Sequence, residues 1–158
     1  MKKIVIILWV AVSLVSCGED VKFNDPAFQG VVNNESWRST SREAQLNTDG
    51  SITIKGMRGY ETMEIQIATT ALNDTISFGN NNSSFAKFTV NAPESLTIYE
   101  TSAAGGNGKV VLEEINLLEG FVSGKVLFFN APITLGLPIY ENSLNFYDGT
   151  FYRVPIVN

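Results

Sequence analysis

The sequence predicts an all-β domain, a single antiparallel β-sandwich or flattened β-barrel of roughly ten short strands. Three observations predict it. Apolar residues alternate with polar ones at a period of two, as in Ile52-Thr53-Ile54-Lys55 and Met63-Glu64-Ile65-Gln66-Ile67, the pattern of a strand with one wet face. No window of helical length keeps a 3.6-residue apolar period. Turn signals recur at short intervals and leave no room for crossover helices, so successive strands pair antiparallel.

Taken in order, the expected strands are Phe28 to Val32, Trp37 to Thr40, Ala44 to Asn47, the alternating runs at Ile52 and at Met63 to Ile67, and Thr75 to Phe78. Phe85 to Val90, Leu96 to Thr101, Lys109 to Ile115, Val122 to Asn130, Leu144 to Tyr147 and Phe151 to Val154 follow. Between them stand Asn33-Asn34, Asp49-Gly50, Arg58-Gly59, Gly79 to Ser84, Ala92-Pro93, Gly105 to Gly108, Glu119-Gly120, Ala131 to Pro138 and Asp148-Gly149, residues that tolerate the backbone of tight turns. Val126-Leu127-Phe128-Phe129 is apolar on both faces, which predicts a central strand covered on each side, with the alternating Leu135, Leu137 and Ile139 of the segment Ile133 to Tyr140 as one cover.

Ahead of this domain the composition changes. Twelve of the first sixteen residues are apolar, and Met1-Lys2-Lys3 before the uncharged run Ile4 to Val15 has the layout of a secretory signal. A twelve-residue helix spans about 18 Å, short of the roughly 30 Å hydrocarbon core, so removal is expected rather than a permanent span. Leu14-Val15-Ser16-Cys17 resembles a bacterial lipobox, with Cys17 as the thiol that receives a diacylglyceryl group. The alternative is a soluble secreted protein with a chance cysteine, but Cys17 is the only cysteine in the chain. Acyl chains contribute about 0.8 kcal/mol per buried methylene, so Cys17 reads as an anchor to the outer membrane.

Gly18 to Pro26 is acidic and aperiodic, a tether that reaches about 30 Å at most. Glu19 and Asp20 resemble the signal that sends lipoproteins to the cell surface in Bacteroidota; a plain solvated linker fits them equally, so the periplasmic and cell-surface faces both stay open. The expected organisation is a signal peptide at 1–16, lipidated cysteine and acidic tether at 17–27, and the β-domain at 28–158.

Composition excludes much chemistry. The 158 residues include no histidine, which removes Ser-His-Asp and Cys-His nucleophile systems and imidazole zinc sites. A single cysteine forms no internal disulfide. Net charge is −5, and −7 once Lys2 and Lys3 are removed with the signal, so with no basic stripe the chain is no partner for nucleic acid. No cofactor motif and no metal site are expected.

Several short motifs also resemble a family. Phe28-Gln29-Gly30-Val31-Val32-Asn33-Asn34 leading to Trp37, then Asp49-Gly50-Ser51-Ile52-Thr53-Ile54, Gly106-Asn107-Gly108-Lys109-Val110, Val122-Ser123-Gly124-Lys125-Val126 and the closing Asp148-Gly149-Thr150-Phe151-Tyr152-Arg153-Val154-Pro155-Ile156 together resemble a flavobacterial-type lipoprotein family of Bacteroidota carrying domain of unknown function 6252. Asn34 stands where the family pattern favours glycine, and asparagine takes the same left-handed turn. The resemblance implies a β-rich envelope lipoprotein and carries no active site.

Remaining candidates are weighed residue by residue. Ala103 to Val110 superficially resembles a phosphate loop, but lacks its first glycine and magnesium-binding hydroxyl and leads into a strand, so it reads as a hairpin loop. Glu113-Glu114 and Glu61 with Glu64 should point to opposite strand faces, leaving any acid pair to be assembled across strands. Asn73-Asp74 and Gly79 to Ser84 offer oxygens without the spaced acids of a calcium loop. Asp74-Thr75-Ile76 resembles a short O-glycosylation signal that would modify Thr75. Trp37 reads as a core plug; of Phe146 and Tyr147, one should face out. The leading expectation is therefore a lipid-anchored, non-catalytic binding or structural module, with a glycan or an envelope protein as partner. An enzyme acting on glycans through cross-strand carboxylates and an accessory subunit of an envelope complex are the competing classes.

Overall fold

The computed structural model describes residues 25–79 and 82–157. Among them lie eleven strands and no helix: β1 (Ala27–Val32), β2 (Glu35–Arg38), β3 (Ser41–Leu46), β4 (Ile52–Arg58), β5 (Glu61–Ile67), β6 (Thr75–Gly79), β7 (Phe85–Ala92), β8 (Ser95–Glu100), β9 (Asn107–Asn116), β10 (Phe121–Leu135) and β11 (Ser143–Pro155). All strand pairs are antiparallel, and together they make one curled sheet that is consistent with a sandwich or barrel-like fold.

Strand β10 is the fold's corner. Its first two thirds lie between β9 and β11 in the layer β2-β1-β11-β10-β9-β6, and its end, Ile133 to Leu135, pairs with β8 in the layer β10-β8-β7-β5-β4-β3. On the other side an isolated parallel bridge, Ala44 to Ile156, ties β3 to the residue after β11. The first and last of these strands also pair, Phe28 lying opposite Phe151.

Inward positions of both layers meet in a core built on rings. Trp37 and Phe28 sit edge to face at 5.6 Å, Trp37 reaches Phe88 of the facing layer at 6.3 Å, and Phe129 stacks on Phe146 at 5.1 Å. All five are essentially inaccessible to water, so Trp37 is the core plug expected of it. Glycines make room for these rings: a Cβ on Gly30 or Gly149 would run into the Phe146 ring, and one on Gly124 into Phe151.

The structure corrects several sequence-based expectations, most of them through β-bulges. Asp148-Gly149 is not a turn: the two residues oppose Gly30 as a β-bulge, and the two last expected strands are one, β11. Ala131 to Leu135 is likewise strand rather than loop. A second bulge, where the β9–β10 register shifts between Val126 and Phe128, turns two consecutive side chains outward, so Leu127 and Phe128 are 43% and 41% exposed instead of covered. The segment after β10 does not cover them; it is pinned over the core by the Tyr99 hydroxyl, which accepts from the backbone N–H groups of Ile139 and Tyr140, both at 2.9 Å. A third shift, with Leu112 opposite Gly124 but Glu114 opposite Ser123, keeps both Glu113 and Glu114 out of the core rather than on opposite faces.

Candidate functional site

The bulges on β10 and β11 lie side by side, because Val126 pairs with Gly149 and Phe128 with Tyr147. Their joint effect is an outward row across the layer. Val31, Tyr147, Phe128 and Lys109 occupy successive register positions on β1, β11, β10 and β9. Tyr147 is half-buried while Phe146 beside it is fully buried, so the pair faces opposite ways as expected from a strand.

Amides border this row. Asn33 and Asn34 form the two-residue β1–β2 turn with φ of 43° and 72°, a left-handed pair that asparagine tolerates better than any other residue with a full side chain. The turn is fastened to β11: Asn33 Oδ1 accepts from the Asn145 backbone N–H at 2.7 Å, and the Tyr147 hydroxyl donates to Asn34 Oδ1 at 2.9 Å. Asn130 Nδ2 in turn donates to Asn145 Oδ1 at 2.8 Å. The side-chain carbonyl oxygens of Asn33, Asn34 and Asn145 are thereby occupied and their amide planes fixed, while Asn34 Nδ2, Asn145 Nδ2 and the Glu141 carboxylate have no partner among the described residues. With Asn33 and Tyr147 they line a depression of about 390 Å³ that no lysine or arginine borders. Three further shallow depressions, of about 300 to 350 Å³, run along the same layer and share Gln29, Arg38, Asp148 and Thr150 between them.

Fixed amide donors, a free carboxylate acceptor and a ring face match a polyhydroxylated ligand, whose vicinal hydroxyls bind such groups and whose C–H faces stack on aromatics. The same surface offers little to an anion. It offers no proton-transfer pair either.

A second polar cluster sits where the segment after β10 crosses the end of β5. Glu61 Oε2 accepts from Trp37 Nε1 at 2.9 Å and from Arg58 Nε at 2.8 Å, and Glu61 Oε1 accepts from the Tyr140 hydroxyl at 2.8 Å. Partial burial, and then the hydrogen bond to and charge of Glu61, push the Tyr140 phenol up to about 12. This is a latch rather than a catalytic dyad, because every oxygen of Glu61 is engaged. Glu64 faces the other way, bound to Lys55 at 3.4 Å and Lys87 at 3.3 Å, and Glu113 pairs with Lys125 at 2.6 Å.

Of the residues singled out from sequence, Leu14, Val15, Ser16, Cys17, Glu19 and Asp20 lie outside the described residues, as do Asn80 and Asn81 of the oxygen-rich turn. Thr75 is exposed at the first position of β6, paired with Val111. The glycine-rich loop leads into β9, a strand. Among the described residues no three acidic, cysteine or histidine side chains gather as metal ligands. The amide cluster itself was not singled out from sequence, although the asparagine doublet at 33–34 was its visible trace.

Curled all-β architecture with a bulged, amide-rimmed outer face defines a small antiparallel β-domain. A family model, the domain of unknown function DUF6252, matches residues 24–155, and the chain belongs to that family. Comparisons with curated proteins and with solved structures return no match.

Proposed function

We propose that the protein is a lipoprotein of the outer envelope in Bacteroidota, acylated at Cys17, and that its β-domain works there as a non-catalytic binding module. The observation that carries the anchoring is the sole cysteine standing directly after Leu14-Val15-Ser16 at the end of the apolar run. Replacing it, Cys17→Ala, should move the protein from the membrane pellet to the soluble fraction or leave it unprocessed; unchanged membrane retention with normal processing refutes the anchor.

The module's ligand, on this reading, is a neutral glycan held at the depression lined by Asn34, Asn145, Glu141 and Tyr147. What supports it is the set of pre-oriented, unspent amide donors beside a carboxylate acceptor and a ring, which lowers the ordering cost of binding. Asn145→Ala and Tyr147→Ala should each weaken glycan-array or calorimetric binding about tenfold or more, while Thr75→Ala, distant in the layer, leaves it unchanged. Equal binding by all three variants removes this face from consideration.

A further inference from the structure

We propose that the tip of the β9–β10 hairpin is a membrane contact: Leu117 and Leu118 enter the interfacial layer of the bilayer that holds Cys17 and fix the domain's orientation on it. The proposal rests on the anchoring reading above and adds to it a second, non-covalent point of attachment.

Two adjacent leucines stand exposed at a hairpin tip, Leu117 at 69% and Leu118 at 101%, the latter the most exposed large apolar side chain of the described residues. The turn itself needs neither. It is shaped by Gly120, at a φ of 70°, and by Asn116 Oδ1, which accepts from the Glu119 backbone N–H at 3.0 Å. The tip is also firmly seated, since Ile156 N–H donates to the Gly120 carbonyl at 2.8 Å.

Position supplies the occupant. Strand β1 begins at Ala27, opposite Tyr152, and β11 at that level borders Ser123 of β10, which faces Glu114 of β9. Three strand spacings, about 14 Å, therefore separate the chain's entry into the sheet from β9, and the tip projects roughly 10 Å beyond that row at the same end. Because β1 runs away from the tip, Ala27 stands at its tip-side end. From Cys17 to Asp25 is a reach of up to about 28 Å, so acyl chains on Cys17 can lie in the plane of Leu117 and Leu118.

One level above the tip, the Arg153 guanidinium stacks on Phe121 at 4.0 Å and binds Glu119 Oε2 at 2.6 Å, a cation at the depth of lipid headgroups with the tip's acid already neutralised. At the opposite end of the same layer stands the polar Asn33-Asn34 turn, so this orientation aims the amide-lined depression away from the bilayer.

Acylation occupies the thiol of Cys17, so Leu118→Cys and Glu35→Cys each offer one site for a nitroxide in the full mature protein reconstituted into phosphatidylethanolamine–phosphatidylglycerol vesicles. The ratio of oxygen to nickel-chelate accessibility should be about threefold or more higher at 118 than at 35, and Leu117→Ser should lower the value at 118. Equal ratios at the two sites in protein whose intact mass includes the acyl chains overturn the membrane contact alone. Absence of acyl mass overturns the anchoring reading and this inference with it.

Discussion

Glu61 and Tyr140 are 79 positions apart in sequence and meet at 2.8 Å, which is why neither could be assigned a role before the strands were in place. Trp37 was legible because a tryptophan between polar neighbours on a strand has one face to fill; its indole N–H, given to Glu61, was not. The Tyr140 phenol carries a prediction about pH. Its ionisation in the folded state is raised to about 12 against 10 unfolded, so the latch is intact below pH 10 and its stabilisation is lost as pH rises through 12. Because the ring is only partly shielded, the loss should be about 1 kcal/mol rather than the larger value a fully buried phenol would give. Urea unfolding between pH 9 and 12 should show this fall in the parent and a smaller one in Tyr140→Phe; identical slopes would mean that the phenol is not held. At the amide cluster, the Asn33-Asn34 doublet was readable as a turn, but its bonds to Asn145 and Tyr147 depend on a register more than a hundred residues away.

Strand existence was legible from the period-two pattern, and strand continuity was not. Asp148-Gly149 carries a residue pair that ends many strands, yet here Asp148 takes a φ of 51° inside β11 and Gly149 lets the Phe146 ring lie against its backbone. Sequence weighs the pair as a turn because only the neighbouring strand, with Gly30 in the facing position, decides for a bulge. Leu127-Phe128 misleads for the same reason: two apolar neighbours suggest a strand covered on both sides, whereas a register shift sends both to one face. The close fit at Phe146 can be tested by a double-mutant cycle. Gly30→Ala should cost about 2 to 3 kcal/mol, since the added methyl meets the ring, but much less in a Phe146→Leu background. Additive costs would show that the ring and the glycine do not share the space. Denaturant midpoints at constant m-value measure both.

At the scale of the whole molecule, an all-β closure was legible from the spacing of strands and turns, and its partition into layers was not. One strand, β10, serves both, and it changes layer within a run that reads as loop, Ala131 to Leu135. The closing pair joins the first and last of the described strands. Deleting the residues from Ser143 onward should therefore abolish folding outright, leaving no cooperative transition and no dispersed amide spectrum, because β1 and β2 lose their attachment and Trp37 its cover from Phe146. A truncated chain that still unfolds cooperatively would show the two layers to be separable. Pairing Phe28 with Phe151 has a consequence in time as well as in space. A ribosome delivers β11 last, and until those thirteen residues emerge the first strand has nothing to pair with on its inner side. The seam between the first and last strands is thus the last part of the sheet that can close, however early the strands between them have paired.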